Sequence, residues 1–264
     1  MTSPRKTIFV TGAGSGIGRA TAQLFAEKGW FVGLYDINAA GVEETAQSLP
    51  QGQCCTGVFD VRDRAGWAKA MEEFSAQTGG RLDVLFNNAG IGKYGWFEEI
   101  APADSDAVID VNVKGVVNGV YAALPLLKNT AGSRIINTAS TAGVFGAPQL
   151  AVYSATKFAV RGLTEALDVE FSRYGVRVVS LMPWFVETAI LDMGGGSNRN
   201  LRDQIKETDA VVYPVSMAAE RAWDAAHGED VHYMVGKLAE RTRFAARFFP
   251  NGLRNRMKKQ VRGG

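Results

Sequence analysis

The sequence predicts an α/β fold: a single domain on a doubly wound, parallel, seven-stranded sheet with helices on both faces. Three observations predict it. Short apolar runs alternate with helical patterns from the start of the chain, as βαβ units require. A glycine-rich turn, Gly12 to Gly18, falls between the first apolar run and the first helical pattern. The 264 residues are 46% hydrophobic and 21% charged, which suits one sizeable core with at most a small appendage.

Taken in order, the strands are expected at Ile8–Val10, Phe31–Tyr35, Cys55–Phe59, Val84–Phe86, Arg134–Asn137, Arg177–Leu181 and Val231–Val235. Ile17, Ala20, Thr21, Leu24 and Phe25 follow helical spacing up to a stop at Gly29. The two long helices are expected over Asp104–Leu127 and Val152–Tyr174. The sequence shows no repeat or linker before about residue 238, so residues 1–238 read as one unit and 239–264 as a basic C-terminal extension.

Composition narrows the function classes. A net charge of +2 offers no global argument for nucleic acid. Met1 to Lys6 leads straight into a strand, so no signal peptide is expected, and no apolar run approaches the length of a membrane span. Adjacent Cys54 and Cys55 suit neither a disulfide nor a metal, and His227 and His232 lack ligand spacing. The expectation is a metal-free enzyme of the reducing cytoplasm.

Thr11 to Gly18 stands where a dinucleotide phosphate cradle belongs, after a strand and at the opening of a helix. Glycines permit the tight turn and let backbone approach a pyrophosphate at the helix N-terminus. Such a turn alone can be only a turn; the strand–turn–helix setting favours the cradle. Asp36 ends the second strand eighteen residues after Gly18. Its carboxylate can accept hydrogen bonds from ribose hydroxyls, or serve only as a cap. It would repel a 2′-phosphate by about 4 kcal/mol at 4 Å and an effective dielectric near 20, so NAD is the expected cofactor.

Tyr153 and Lys157 are four apart in one helical pattern and share a face. Ionising a tyrosine at neutral pH needs about three units, roughly 4 kcal/mol. A neighbouring ammonium and a cationic nicotinamide push that way, and burial pushes back. Alone, the pair also fits a ring in the core beside a solvated ammonium.

These motifs together resemble the short-chain dehydrogenase/reductase family over Thr7 to about Val235. The glycines read TGxxxGxG, Asn87-Asn88-Ala89-Gly90 follows the fourth strand, and Asn112 lies in the next helix. Ser140 ends the fifth strand, with Tyr153 and Lys157 thirteen and seventeen residues later. Pro183 to Thr188 follows the sixth strand. The resemblance implies a Rossmann-type NAD(P)-dependent oxidoreductase with Asn112, Ser140, Tyr153 and Lys157 as the catalytic set. Tyr153 would exchange a proton with the substrate oxygen and Ser140 would hold that oxygen. Lys157 would bind the nicotinamide ribose and lower the tyrosine pKa, with Asn112 supporting a water relay. The cofactor site implied is Gly12, Ser15, Gly16, Ile17, Gly18, Asp36, Asp60, Val61, Asn88, Ala89, Gly90, Pro183, Val186 and Thr188, together with Tyr153 and Lys157. Asp60 and Val61 would meet the adenine, Asn87 and Ala89 the adenosine half, and Val186 and Thr188 the carboxamide. The family's long helices pair across a two-fold axis, which implies a homodimer or homotetramer.

One position departs from the family pattern PGxVxT. Trp184 stands where the glycine belongs, which puts the path of that loop in doubt. Tyr94, Trp96, Val144, Phe145, Trp184 and Phe185 are expected near the substrate mouth, with core packing the alternative for Trp96 and Phe97. Such a wall suits a hydrophobic or aromatic secondary alcohol or ketone. A lid is expected over about residues 189–212, hinged at Met193 to Gly196. Arg241 to Gly264 carries eight Arg and Lys and no acid, with Phe244, Phe248 and Phe249 interleaved. Membrane-surface binding is one reading; the favoured one packs Phe244 and Phe248 on the body or a sister subunit. The function expected is an NAD-dependent alcohol dehydrogenase or carbonyl reductase. Its alternatives are a non-catalytic dinucleotide-sensing scaffold, against which the retained Tyr153 and Lys157 count, and a different reaction on the same fold.

Overall fold

Strand β1 (Thr7–Thr11) is buried at every position. Its apolar run does not alternate because a strand covered on both faces has no solvent side. The computed structural model describes residues 5–194 and 200–262. It places β1 among β2 (Phe31–Asp36), β3 (Cys54–Val58), β4 (Val84–Asn87), β5 (Arg134–Thr138), β6 (Arg177–Pro183) and β7 (His232–Val235). The order is β3-β2-β1-β4-β5-β6-β7 and every neighbouring pair is parallel. All seven expected strands are present, with ends displaced by one or two residues, as fraying ends are.

Side chains on successive strand residues feed two cores. Ile8 and Val10 pack beneath helices α1 (Gly16–Glu27), α2 (Ala39–Gln47) and α8 (Val215–His227), through Phe25, Val42 and Ala222. Phe9 points the other way, to Trp67 and Phe74 of α3 (Arg64–Thr78). Leu127 of α5 (Gly115–Lys128) and Phe171 of α6 (Ala151–Phe171) complete that layer. The chain winds outward from β1 in one direction and from β4 in the other. Between their C-terminal ends, where the winding reverses, a crevice opens.

The helix expected over Asp104–Leu127 runs as α4 (Pro102–Ile109), a π-helical turn (Asp110–Lys114) and α5. This continuous Pro102–Lys128 helix is long and apolar enough to cross a membrane by length and composition, contrary to the sequence expectation. Its apolar side is used by the sheet: Val116, Val120, Ala123 and Leu127 are buried. Tyr121, Ile109 and, on α6, Phe158 and Val169 remain exposed.

After β7 the extension forms α9 (Lys237–Phe248) and α10 (Pro250–Arg262). Only Ala239 of α9 is fully buried, against Met234 and Met182. Packing of Phe244 and Phe248 on the body is not observed. Both rings lie exposed and touch each other, centroids 4.8 Å apart, because the helix turns Ala239 and Ala246 inward instead.

Candidate active site

The crevice holds a cavity of about 610 Å³ that runs from the glycine turn to Tyr153. The turn's sequence dictates its shape. Gly12 has φ +68, and a Cβ there would lie 3.0 Å from the Ala89 Cα. A Cβ on Gly18 would collide with the Gly12 carbonyl oxygen, so α1 starts hard against the loop. Ser15, at the helix N-cap, accepts no side-chain cap bond, and with Gly16 and Ile17 it lines the cavity at the helix N-terminus.

Asp36 lines the cavity where expected. Its two oxygens accept the N–H groups of Gly14 (2.9 Å) and Asn38 (3.0 Å), which aim the carboxylate across the turn. Arg19 was not singled out from the sequence. Its guanidinium donates to the Gly14 carbonyl (2.5 Å), Thr45 Oγ1 (3.0 Å) and Glu44 (2.8 Å), and so braces the turn from behind. Asp60 and Val61 also line the cavity. The Arg62 guanidinium beside Asp60 holds its carboxyl below the usual range. The Val61 carbonyl accepts from Trp67 Nε1 (3.0 Å) and Asn118 (3.2 Å), which pins this loop to α3 and α5.

Asn88, Ala89 and Gly90 line the cavity, but Asn87 does not. The Asn87 side chain is buried and donates to Asn137 Oδ1 at 2.9 Å. Adjacent strand residues face opposite sides, so only one of two neighbouring asparagines can face the crevice. Asn88 takes that place. Its amide donates to the Thr11 carbonyl at 3.1 Å, and the Thr11 hydroxyl accepts the N–H groups of both Asn88 (3.0 Å) and Ala89 (3.1 Å).

Tyr153, Lys157 and Ser140 meet at the cavity floor. The Ser140 hydroxyl is hydrogen bonded to Tyr153. It also accepts the Ala142 N–H at 3.1 Å and donates to the Pro183 carbonyl at 3.4 Å. Lys157 Nζ donates to the Thr138 carbonyl at 2.8 Å and lies 5.5 Å from the Tyr153 ring centroid. Burial pushes the Tyr153 phenol up to about 12, with the Ser140 bond opposing it, and pushes the Lys157 ammonium down to about 8. In the protein alone the tyrosine is governed by burial and the Ser140 bond, not by Lys157. Asn112 sits behind this floor and not in it. Its side chain exchanges two 2.9 Å hydrogen bonds with the Ile91 backbone and donates to Thr156 (3.1 Å).

Pro183, Val186 and Thr188 border the cavity from the β6 side. The substrate half is walled by Phe145, Trp184, Phe185, Leu150, Ile190 and Met193. Tyr94 and Val144 do not reach it. Tyr94 packs behind the wall against Leu150 and Leu201 with its hydroxyl bonded to Gln149 and Gln204, and Val144 joins the cluster around Val160. Trp96 is half-exposed and Phe97 exposed, away from cavity and core alike. The backbone of Trp184 avoids the left-handed region, so this loop does not need the family's glycine. Trp184 borders the cavity with Phe185 alongside, centroids 5.2 Å apart, and packs on the cluster of Met182 and Met234.

Of the expected hinge, Gly195 and Gly196 lie outside the described residues, as do 197–199. Beyond them α7 (Leu201–Glu207) opens with a capping box between Asn200 and Asp203 and buries Leu201, which lines the cavity, and Ile205 behind it. Arg202, which no local sequence pattern marks, ties α7 to the β6 loop. It donates to Glu187 (2.6 Å), Asp192 (2.5 Å) and the Thr188 carbonyl (3.4 Å). Among the described residues no cluster of His, Cys, Asp or Glu is arranged to hold a metal. The residues do fit a dinucleotide: a crevice with a glycine turn and a helix N-terminus at one end, and the Asp36 carboxylate on the next strand beside them.

The sequence model of the short chain dehydrogenase family matches residues 6–194. A meso-2,3-butanediol dehydrogenase from Serratia marcescens is 36% identical over 234 residues, 88% of this chain and 90% of that protein. A levodione reductase from Leifsonia aquatica is 34% identical over 192 residues, 71% of this chain and 72% of its own. A crystal structure of a short chain dehydrogenase/reductase from Burkholderia phymatum in complex with NAD superposes with a TM-score of 0.84. It covers 97% of this chain and 96% of its own at 26% identity.

The burial of Lys157 has a measurable consequence. Its folded pKa of about 8 lies below the usual value of 10.5, so the folded protein is penalised wherever the lysine is charged in both states. That penalty is full below pH 8 and disappears as pH rises past about 10.5. Lys157→Met is therefore expected to stabilise the unliganded protein at pH 7, by up to about 3 kcal/mol. Urea unfolding at pH 7 and pH 10 checks this; an unchanged or lower stability at pH 7 refutes it.

Proposed function

The chain belongs to the short-chain dehydrogenase/reductase family, and on that premise we propose that it is an NAD(H)-dependent alcohol dehydrogenase or carbonyl reductase for a hydrophobic, flat or bulky secondary alcohol or ketone. The observation that carries the reading is the meeting of Tyr153, Ser140 and Lys157 on the floor of a cavity whose far end holds Asp36. An apolar and aromatic wall supports the substrate class. The butanediol dehydrogenase and levodione reductase, named for an alcohol and for a ketone reduction, support the reaction type.

NAD(H), when bound, supplies the ring that accepts or donates the hydride. The residues of the chain handle the proton and the geometry. In oxidation Tyr153, as its anion, takes the proton of the substrate hydroxyl; in reduction it returns that proton to the carbonyl oxygen. The Ser140 hydroxyl donates to the same oxygen and steadies the charge that develops there. The Lys157 ammonium opposes the burial that keeps the phenol neutral, and its hydrogen bond to Thr138 fixes its reach toward the ribose. Asn112 holds the Ile91 segment against α6, and so keeps the site's two walls in register. Asp36 selects the ribose without a 2′-phosphate. Residues 1–238 form the catalytic unit.

Three outcomes are expected. Tyr153→Phe, which removes only the proton-transfer group, should leave NAD binding intact and turnover below about a hundredth of wild type. If a tenth or more survives, another residue moves the proton. NAD should be preferred over NADP by about a hundredfold in kcat/KM, corresponding to ~3 kcal/mol of repulsion at Asp36. The neighbouring Arg19 is already committed to Gly14, Thr45 and Glu44. Comparable rates with the two cofactors would contradict the assignment of Asp36. Finally, the exposed Tyr121, Phe158 and Val169 on α5 and α6 form a face suited to a second copy, so the protein should be at least a homodimer. Light scattering at micromolar concentration tests this, and a monomer would exclude it.

A further inference from the structure

The charge of this protein is distributed unevenly along the chain. Net charge is +2, yet the last 24 residues contribute +8 through Arg241, Arg243, Arg247, Arg254, Arg256, Lys258, Lys259 and Arg262. The preceding 240 residues are therefore net negative by six. These cations sit on α9 and α10, and the main packing partner of α10 is α9.

The same two helices expose their largest apolar side chains. Phe244, Phe248 and Phe249 are 59%, 59% and 62% exposed, and the Phe244 ring lies beside both of the others. From Phe249 the apolar positions continue four by four along α10: Leu253, Met257 and Val261. At 100° per residue these form one stripe. Arg254 and Lys258 border it on one side and Arg256 on the other. The stripe is about 20 Å long, the length of 13 helical residues.

A stripe of this kind, apolar at the centre and cationic at its borders, matches a bilayer surface, with acyl chains below and anionic headgroups around. We propose that α9 and α10 dock this protein on an anionic membrane surface. The helix pair lies in the interface plane with Phe248, Phe249, Leu253 and Met257 in the acyl boundary. The net-negative body is repelled by the same surface and faces away from it, which fixes one orientation. Charge disfavours a second copy as the occupant, since a symmetric contact between two such tails sets eight cations against eight. A nucleic acid would satisfy the cations but leave the aliphatic stripe wet.

The test is cosedimentation of the full chain with extruded vesicles. One set is phosphatidylcholine alone and the other contains about one-third phosphatidylglycerol. Binding should be at least about tenfold stronger on the anionic vesicles and should weaken as salt is raised. Phe248→Ser/Phe249→Ser should lose binding with an unchanged circular dichroism spectrum. So should Arg254→Gln/Arg256→Gln/Lys258→Gln, which leaves every apolar contact in place and guards against a folding defect in the first variant. No sedimentation with either vesicle, or equal sedimentation with both, overturns the proposal. Binding to a single-stranded oligonucleotide without vesicle binding overturns it in favour of nucleic acid. A lower oligomeric mass for the phenylalanine variant, with vesicle binding unchanged, overturns it in favour of a subunit contact.

Discussion

One hydroxyl holds the centre of this molecule. Thr11 ends β1, and its Oγ1 receives the N–H groups of Asn88 and Ala89 where β4 ends. At this point the two strands stop pairing and their loops must part, one toward the phosphate end of the crevice and the other toward its floor. The hydroxyl caps both ends across the gap, and the Asn88 side chain repeats the tie through the Thr11 and Gly12 carbonyls and the Thr138 hydroxyl. These bonds hold the two rims of the crevice to each other at this end. The glycine turn, the Tyr153 floor and the β6 loop are all positioned relative to this junction.

The floor itself is maintained against electrostatics. A phenol and an ammonium are buried together, and burial disfavours the charged form of each. Such a pair is retained at a cost in stability, which is the usual condition of groups positioned for chemistry more than for packing. The surroundings limit that cost through backbone partners: Thr138 for the lysine, and Ser140, itself held by Pro183 and Ala142, for the tyrosine.

The sheet was legible because strands buried on both faces write themselves as continuous apolar runs, and the cradle because glycine spacing follows from backbone geometry. What escaped the sequence depended on direction. Asn87 and Asn88 are identical letters, and only strand parity decides which faces the crevice. Tyr94 and Val144 follow the right strands yet end behind the wall, because long-range packing on Leu201 and Val160 turns them away. Arg19, Arg62 and Arg202 belong to no motif, although each closes a loop at the site. Their partners lie on other segments of the chain, beyond the reach of any local pattern. Asn112, which as a residue type also suits a buried brace at a helix bend, lies within the π-turn at Asp110–Lys114, and its partner Ile91 is in another loop.

The position of β1 at the sheet's centre governs how the protein comes into being. β1 is made first, and its partner on one side is β2, close behind it. Its other edge waits for β4, whose Asp83 accepts the Thr7 N–H across 76 residues. Until then that edge offers unpaired N–H and C=O groups to any passing strand. Part of the core under α1 waits longer, for α8 near residue 215, so its apolar face stays wet until most of the chain has left the ribosome. Non-local pairing of this kind folds slowly. Nascent chains are therefore most prone to aggregate during the interval before β4 arrives, and a fragment of the first half of the chain keeps both rims of the crevice but lacks its Ser140–Tyr153–Lys157 floor.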